Sequence, residues 1–514
     1  MQGEATESRY RQGSGPSLDP GKTAIFSIIL AVIGRGLGYI RTLIVAYFFG
    51  VTPIMDAFAA AMGIVELFTA TTRSSLQMAL LPQLAAAQHK GGQGEARLLM
   101  GFVTRAVLVL TGIIAIFIIF SPRSIVKAFA YGFTGPVLDI SALTLQLLSI
   151  YLIGYTGYYL YSIWAYNKRR YLLPSLLEAI LNVLTIFSFL LIISLSKEAA
   201  LPLSIGLAWA TLLIAMMFLQ RDFPWKESKY MAYHVKPLSK NLVFCLGLVG
   251  SGALYQATDR FFASLLPSGS VAVVNYAIFL LWVPVALLEP AFQIFYADLV
   301  HLHHADPGKA RERMVDALSL ALYYGIPISA FFLVFSPSTV KVLFGYGAFD
   351  SRAVGMTAAC LAAYGFGFAF TAMNHLLWRY AQASGRIGSL VQIAYLSVFI
   401  NVILDWGLSR ALGVVGIAVA TTIVTTISLC LFIWKFLGKE FFVRIFKRGT
   451  FFIIPVAPLF IFIGLIPISS SAVKFFLGIL VFIAALLTNE YSLRKSGINL
   501  DGTPIKLLKK LKKR

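Results

Sequence analysis

Apolar runs long enough to cross a lipid bilayer recur along almost the whole of this chain, and that recurrence limits the fold more than any other feature. A helix needs about 20 apolar residues to span hydrocarbon. Runs of that order cover Thr23–Phe49, Ile54–Leu81, Leu98–Phe120, Ile140–Tyr166, Leu172–Leu195, Leu201–Leu219 and Asn241–Leu266. They continue at Val271–Leu299, Met314–Phe335, Ala353–Ala383, Ser389–Leu408, Val414–Phe436, Phe451–Ile466 and Ala472–Thr488. The runs are too continuous for barrel strands, whose polarity alternates. Backbone in lipid must satisfy its own hydrogen bonds, so the spans are read as helices. Composition agrees: 13% of the 514 residues are charged and 58% hydrophobic, against about 25% charged in a soluble domain. The expected fold is an all-α polytopic membrane protein with about fourteen transmembrane helices.

Lys and Arg set the orientation. With fourteen spans, one set of alternate loops and termini carries thirty of the 43 cations, the opposite set carries six, and the rest lie in or at the ends of spans. Both termini are therefore expected in the cytoplasm. The net charge of +21 reflects topology and not a nucleic-acid footprint. Cys245, Cys360 and Cys430 stand alone in apolar runs, with neither zinc-ligand nor redox spacing. The first run lacks a small-residue cleavage site and reads as a helix, not a leader.

The chain also repeats itself. Ser121-Pro122 precedes Phe129-Ala130-Tyr131-Gly132, and Ser336-Pro337 precedes Phe344-Gly345-Tyr346-Gly347, all at an offset of 215. Each copy follows the third helix of a six-helix set. An even number of helices gives the halves the same orientation, hence parallel repeats related by an axis along the membrane normal. The expected organisation is a cytoplasmic N-terminal segment 1–22, a lobe 23–219, a cytoplasmic linker 220–240, a second lobe 241–437, two extra helices in 451–488 and a basic cytoplasmic tail 489–514. The lobes are expected to surround a central cavity.

Ionisable side chains inside spans cost a few kcal/mol each and usually face a cavity or a partner. Arg35 and Arg41 lie in the first span, Asp56 opens the second, Arg73 comes late in it, and Asp259-Arg260 sits within the seventh. Glu66, Glu178, Glu289, His375, Arg379 and Asp405 are further candidates nearer span ends. Gly34, Gly36 and Gly38 around Arg35 allow close helix approach or a kink. One reading is a polar cavity whose guanidinium groups meet an anionic substrate, since the planar fork gives phosphate two hydrogen bonds. The other is purely structural ion pairing. His301, His303 and His304, beside Asp298 and Asp306, read as a solvated helix end more than a metal site. No Walker loop, nucleophile elbow or zinc motif is present, so no catalytic residue, metal or cofactor is expected.

The stretch Gly34-Arg35-Gly36-Leu37-Gly38-Tyr39-Ile40-Arg41, then Phe49-Gly50 and Asp56-Ala57-Phe58, resembles the opening of the MurJ (MviN) family of lipid II flippases, within the multidrug/oligosaccharidyl-lipid/polysaccharide exporter superfamily. Leu81-Pro82-Gln83-Leu84, Asp259 to Leu266, Asn275-Tyr276-Ala277 and the two Tyr-Gly loops are similar to later parts of the family. The resemblance covers about Thr23 to Gly438. It implies two six-helix lobes about a cavity, with two extra helices forming a groove for a polyprenyl tail. It also implies cavity positions for Arg35, Arg41 and Asp56, and a seventh-helix pair at Asp259 and Arg260. The chain departs from the family where Val65-Glu66-Leu67 replaces a Pro-Asn followed by Arg, and where Ile278-Phe279-Leu280 lacks an Arg.

The expected activity is that of a transporter, not an enzyme: translocation of a polyprenyl-diphosphate-linked glycan, lipid II first, from the inner to the outer leaflet of the bacterial cytoplasmic membrane. Coupling to the membrane potential or a monovalent ion is compatible with this. Alternatives are a flippase for a lipid-linked exopolysaccharide or O-antigen unit, an ion-coupled drug or metabolite antiporter, and a pseudo-transporter scaffold. Expected partners are the lipid-linked glycan, membrane lipids and proteins of wall or polysaccharide synthesis, with a monomeric chain and no nucleic acid. The tail Ile505–Arg514 alternates Leu and Lys, as a helix lying on anionic lipid would.

Overall fold

The computed structural model describes residues 20–229 and 232–496. Residues 1–19 of the expected N-terminal segment and 497–514 of the expected basic tail lie outside the described residues, while 20–22 already belong to the first helix and 489–496 continue the last. Helices account for nearly all of the rest, with no strand among the described residues. In order they are α1 (Pro20–Phe49), α2 (Pro53–Phe120), α3 (Pro122–Phe129), α4 (Gly135–Asn167), α5 (Leu172–Ile192), α6 (Lys197–Leu219), α7 (Ala232–Ser264) and α8 (Ser270–Ala305). Then follow α9 (Pro307–Phe344), α10 (Ser351–Phe366), α11 (Phe368–Ala383), α12 (Ile387–Leu412), α13 (Val414–Phe432), α14 (Lys439–Gly464) and α15 (Ser471–Ser496).

Among the described residues, twelve helices are long and apolar enough to cross a membrane, or thirteen when α10 and α11, bent by 52° at Gly367, count as one span. At a rise of about 1.5 Å per residue, the 68-residue α2 would run about three times the thickness of a hydrocarbon core. Its backbone leaves the helical region at Gly91 and Gly92, where Gly92 has φ 71° and ψ −167°. Counted as two spans about that break, α2 is compatible with the fourteen expected.

The chain divides into two compact units whose boundaries cut through the long helices. The first comprises 1–42, 76–116 and 147–238. Its core is aromatic. Tyr151, Tyr155, Tyr158 and Tyr159 recur at helical spacing along α4 and gather around Trp209 of α6, with ring centroids 4.7 to 6.2 Å away. Gly154 lets α6 approach closely, since a side chain there would meet the backbone of Trp209 and Ala210. The segment 220–240, expected to be a cytoplasmic linker, is partly held by side-chain contacts and partly helical. Arg97 donates to both carboxylate oxygens of Glu227 at 2.7 and 2.8 Å, Lys168 pairs with Asp222, and Arg105 donates to the carbonyls of Trp225 and Lys226. The Arg97 hydrogen bonds hold the Glu227 carboxyl below the usual carboxylate range. Helix α7 begins at Ala232, nine residues before the expected Asn241, because nothing in the sequence pattern marks where a polar helical extension leaves the bilayer.

The second unit comprises 43–75, 117–146 and 239–514. Helix α9 is its centre, with α10, α11, α14 and α15 packed against it. Phe335 of α9 clusters with Val456 and Phe460 of α14 and Val481 and Ala485 of α15. Arg448 joins α14 to α9 through Asp316 at 3.0 Å and Ser319 at 2.7 Å. The helices outside the duplication are thereby fastened to the second half.

The repeated outer loops make reciprocal contacts within this unit. The Gly132 amide donates to Ser264 Oγ, at the end of α7, at 3.3 Å. The Ala348 amide, next to Gly347, donates to the Tyr47 carbonyl, at the end of α1, at 2.9 Å. Each loop thus meets the end of a helix distant in sequence, α7 for the first and α1 for the second. Gly347 has φ 63° and lies against Tyr47, leaving no room for a side chain. Gly347→Val is expected to lower stability by more than about 1 kcal/mol, from strain and overlap together. Thermal unfolding in detergent measures it against Gly355→Ala, a position with open space around it. Equal unfolding temperatures for the two variants would refute a packing role for the loop.

Candidate functional site

Arg35 and Arg41 belong to the first unit. Gly34 and Gly38, one turn apart on α1, face α5. Asn182 donates to the Gly34 carbonyl at 2.9 Å, and a side chain at Gly38 would touch Asn182. The glycines therefore fix how α1 lies on α5, while Gly36 has open space beside it. Arg35 shares the exposed side with Gly36, and Arg41 is half-buried.

Glu178 also lies in the first unit, where it accepts the Tyr159 hydroxyl at 2.8 Å, and the other candidates belong to the second. Asp56 is 1% exposed. Its carboxylate accepts the amides of Gly269 and of Ala272, the latter at 2.7 Å, and the Ser268 hydroxyl at 3.4 Å. It thus satisfies the orphan donors at the start of α8, where a negative charge also complements the helix dipole. Asp56 caps α8 from another part of the chain, and the expected exposure to a watery cavity is not what this carboxylate has. Arg73 is exposed on α2.

Asp259 and Arg260, neighbours on α7, point about 100° apart and serve different partners. Arg260 reaches Glu66 of α2 at 3.2 Å, and Gly63 supplies the room, since a side chain there would meet the guanidinium. The acid-base pair read within α7 is thus a pair between helices, and Glu66, noted as a departure from the family pattern, is its carboxylate. Charge reversal at Arg260 alone is expected to reduce the folded yield, with recovery when Glu66→Arg accompanies Arg260→Glu. Size-exclusion profiles of the single and double variants test this; no recovery in the double variant would mean that the pair is not what holds α7 to α2.

Asp259 is 2% exposed and belongs to a polar cluster across three helices. Its Oδ1 accepts from Asn401 Nδ2 of α12 at 2.8 Å and its Oδ2 from Thr421 Oγ1 of α13 at 3.2 Å. The same Asn401 amide donates to Asp405 Oδ2 at 2.8 Å. Asn401 and Asp405 are fully buried. Two buried carboxylates sharing one amide cannot both carry a bare charge without large cost. A proton or a small cation between them removes the conflict, and carboxylate, amide and hydroxyl oxygens suit hard cations. Asn401 and Thr421 were not singled out from sequence. The readable signal was Asn401 one helical turn before Asp405 inside an apolar run.

Beside this cluster the second unit has a partly open cavity of about 490 Å3. Tyr255, Asp259, Trp282, His375, Trp378 and Arg379 are among the residues that line it. Arg379 is ion-paired with Glu289, and the His375 ring stands edge-on to Trp282 at 5.2 Å. Of the histidine group at the end of α8, the side chains of His301 and His304 lie outside the described residues, while Asp306 accepts the Gly308 and Lys309 amides at the start of α9, which keeps its carboxyl below the usual range. No group of three or more His, Cys, Asp or Glu that could hold a metal occurs among the described residues.

Comparisons with known proteins agree with this architecture. The family model described as lipid II flippase MurJ matches residues 45–486. A probable lipid II flippase MurJ of Thermotoga maritima is 26% identical over 415 residues, covering 78% of this chain and 82% of that protein. The lipid II flippase MurJ of Burkholderia cenocepacia is 24% identical over 422 residues, covering 76% and 81%. Among solved structures, lipid II flippase MurJ in an inward closed conformation superposes with a TM-score of 0.76 at 17% identity, covering 92% of this chain and all of that one. An inward-facing multidrug transporter of the MATE family gives 0.64 at 13% identity, covering 83% and 99%. With a family model matched over most of its length and a helical membrane fold to go with it, this chain belongs to the lipid II flippase MurJ family.

Proposed function

We propose that this protein is a flippase that carries a polyprenyl-diphosphate-linked glycan, lipid II, from the inner to the outer leaflet of the cytoplasmic membrane. The family match over residues 45–486 carries this reading. The chemistry of the first span supports it: a half-buried guanidinium at Arg41 within an apolar helix suits a diphosphate that has to leave water. The charge bias of the loops supports cytoplasmic termini. A monomer that works alongside enzymes of wall synthesis fits the same reading.

Coupling to a monovalent cation belongs to the proposal, and the Asp259–Asn401–Asp405–Thr421 cluster is where the ion would bind. Its oxygens would hold sodium or be bridged by a proton, and the ion would bias transport only through its unequal affinity for the two states. The deciding experiment is rescue of a bacterium depleted of its own lipid II flippase. Growth restored by this chain, with labelled lipid II reaching the outer leaflet, is the expected result. Stable insertion without rescue would reject lipid II as the cargo.

A further inference from the structure

The cavity of the second unit has a chemistry unlike that of a diphosphate site. Its indoles, Trp282 and Trp378, stand with the amides of Gln256, Asn374 and Gln382. Its guanidinium, Arg379, is bound to Glu289, and both side chains are at most 25% exposed. Asp259 is directed to α12 and α13. The one guanidinium at the wall thus already has a carboxylate partner, which disfavours a phosphate there. Asn374 donates to the Thr425 carbonyl at 2.8 Å, so its amide stands as a fixed neutral group at the wall.

A neutral pyranose answers these features together. Its C–H face packs on an indole, its hydroxyls and N-acetyl N–H donate to amide oxygens, and it needs no counter-charge. The volume lies within the range of small-molecule sites, about 300–1,000 Å3, and accommodates one or two sugar rings. The geometry points to this cavity as a subsite for the uncharged, N-acetylated sugar portion of the cargo. This inference rests on the proposed transport of a lipid-linked glycan and names where the glycan, as opposed to the diphosphate, is held.

The test uses the full-length protein in lipid nanodiscs and a free N-acetylhexosamine disaccharide bearing neither phosphate nor lipid. Saturable change of indole fluorescence with a Kd of about 1 mM is expected, in keeping with the weak affinity of a fragment. Trp378→Ala and Gln256→Ala should each weaken it about tenfold or more, whereas Trp378→Phe should stay within about threefold. Arg41→Ala should leave it unchanged. Thermal unfolding and size exclusion select the variants that are folded, and Gln256→Ala serves if Trp378→Ala is not. Absence of saturable binding by folded wild-type protein, or equal binding by the folded alanine variants, would overturn the subsite. Disaccharide binding without growth rescue would instead reject lipid II and leave the subsite standing; rescue without disaccharide binding would do the reverse.

Discussion

Arg41→Ala is expected to abolish growth rescue while the protein still inserts into the membrane at the wild-type level. Arg41 lies in an apolar helix and is half-buried, where an ionised group costs about 2.5–3.5 kcal/mol in a translocon-inserted helix. The expected role of this guanidinium is to meet the diphosphate of the cargo. Loss of a charge-assisted hydrogen bond is worth about 1.5–3 kcal/mol, or about ten- to a hundredfold in affinity for the diphosphate. Arg41→Lys keeps the charge but loses the planar fork, so it should rescue partially. Immunoblots of membranes alongside outer-leaflet labelling of lipid II separate insertion from transport. Wild-type flipping by Arg41→Ala would reduce the residue to a structural role. Arg35, on the exposed side of α1, is expected to show the smaller defect of the two.

Asp259→Asn and Asp405→Asn are each expected to remove the dependence of stability on sodium. Wild-type protein should unfold at a higher temperature in sodium chloride than in choline chloride. At a hundred times the dissociation constant, binding to the folded state alone adds about 2.7 kcal/mol. Either amide variant lacks one of the two carboxylates about Asn401 and should unfold alike in both salts. Transport in proteoliposomes should lose its response to a sodium gradient in the same variants. Wild-type unfolding that is indifferent to sodium and follows pH would assign the cluster to a proton; indifference to both would remove it from coupling altogether.

Much of this was legible in the chain. Apolar runs of bilayer length fix helices locally, because backbone in lipid has nowhere else to make its hydrogen bonds. The loop cations indicate a side for each terminus, and the 215-residue offset pairs Gly132 with Gly347. The family was readable from the first two helices, whose Arg, Gly and Asp spacings are dense enough to be specific. Individual roles were not. Sequence brings Asp259 next to Arg260, yet one residue of a helix turns a side chain by about 100°, so the acid goes to Asn401 and Thr421 and the cation to Glu66. Asp56 gives no sign in sequence that its partners are the Gly269 and Ala272 amides more than two hundred residues away. Span and register are set by energies that each segment settles with the solvent around it. Which buried polar group meets which is settled only when helices distant in sequence pack, since desolvation makes each unpaired group costly and the packing alone decides which partner is within reach.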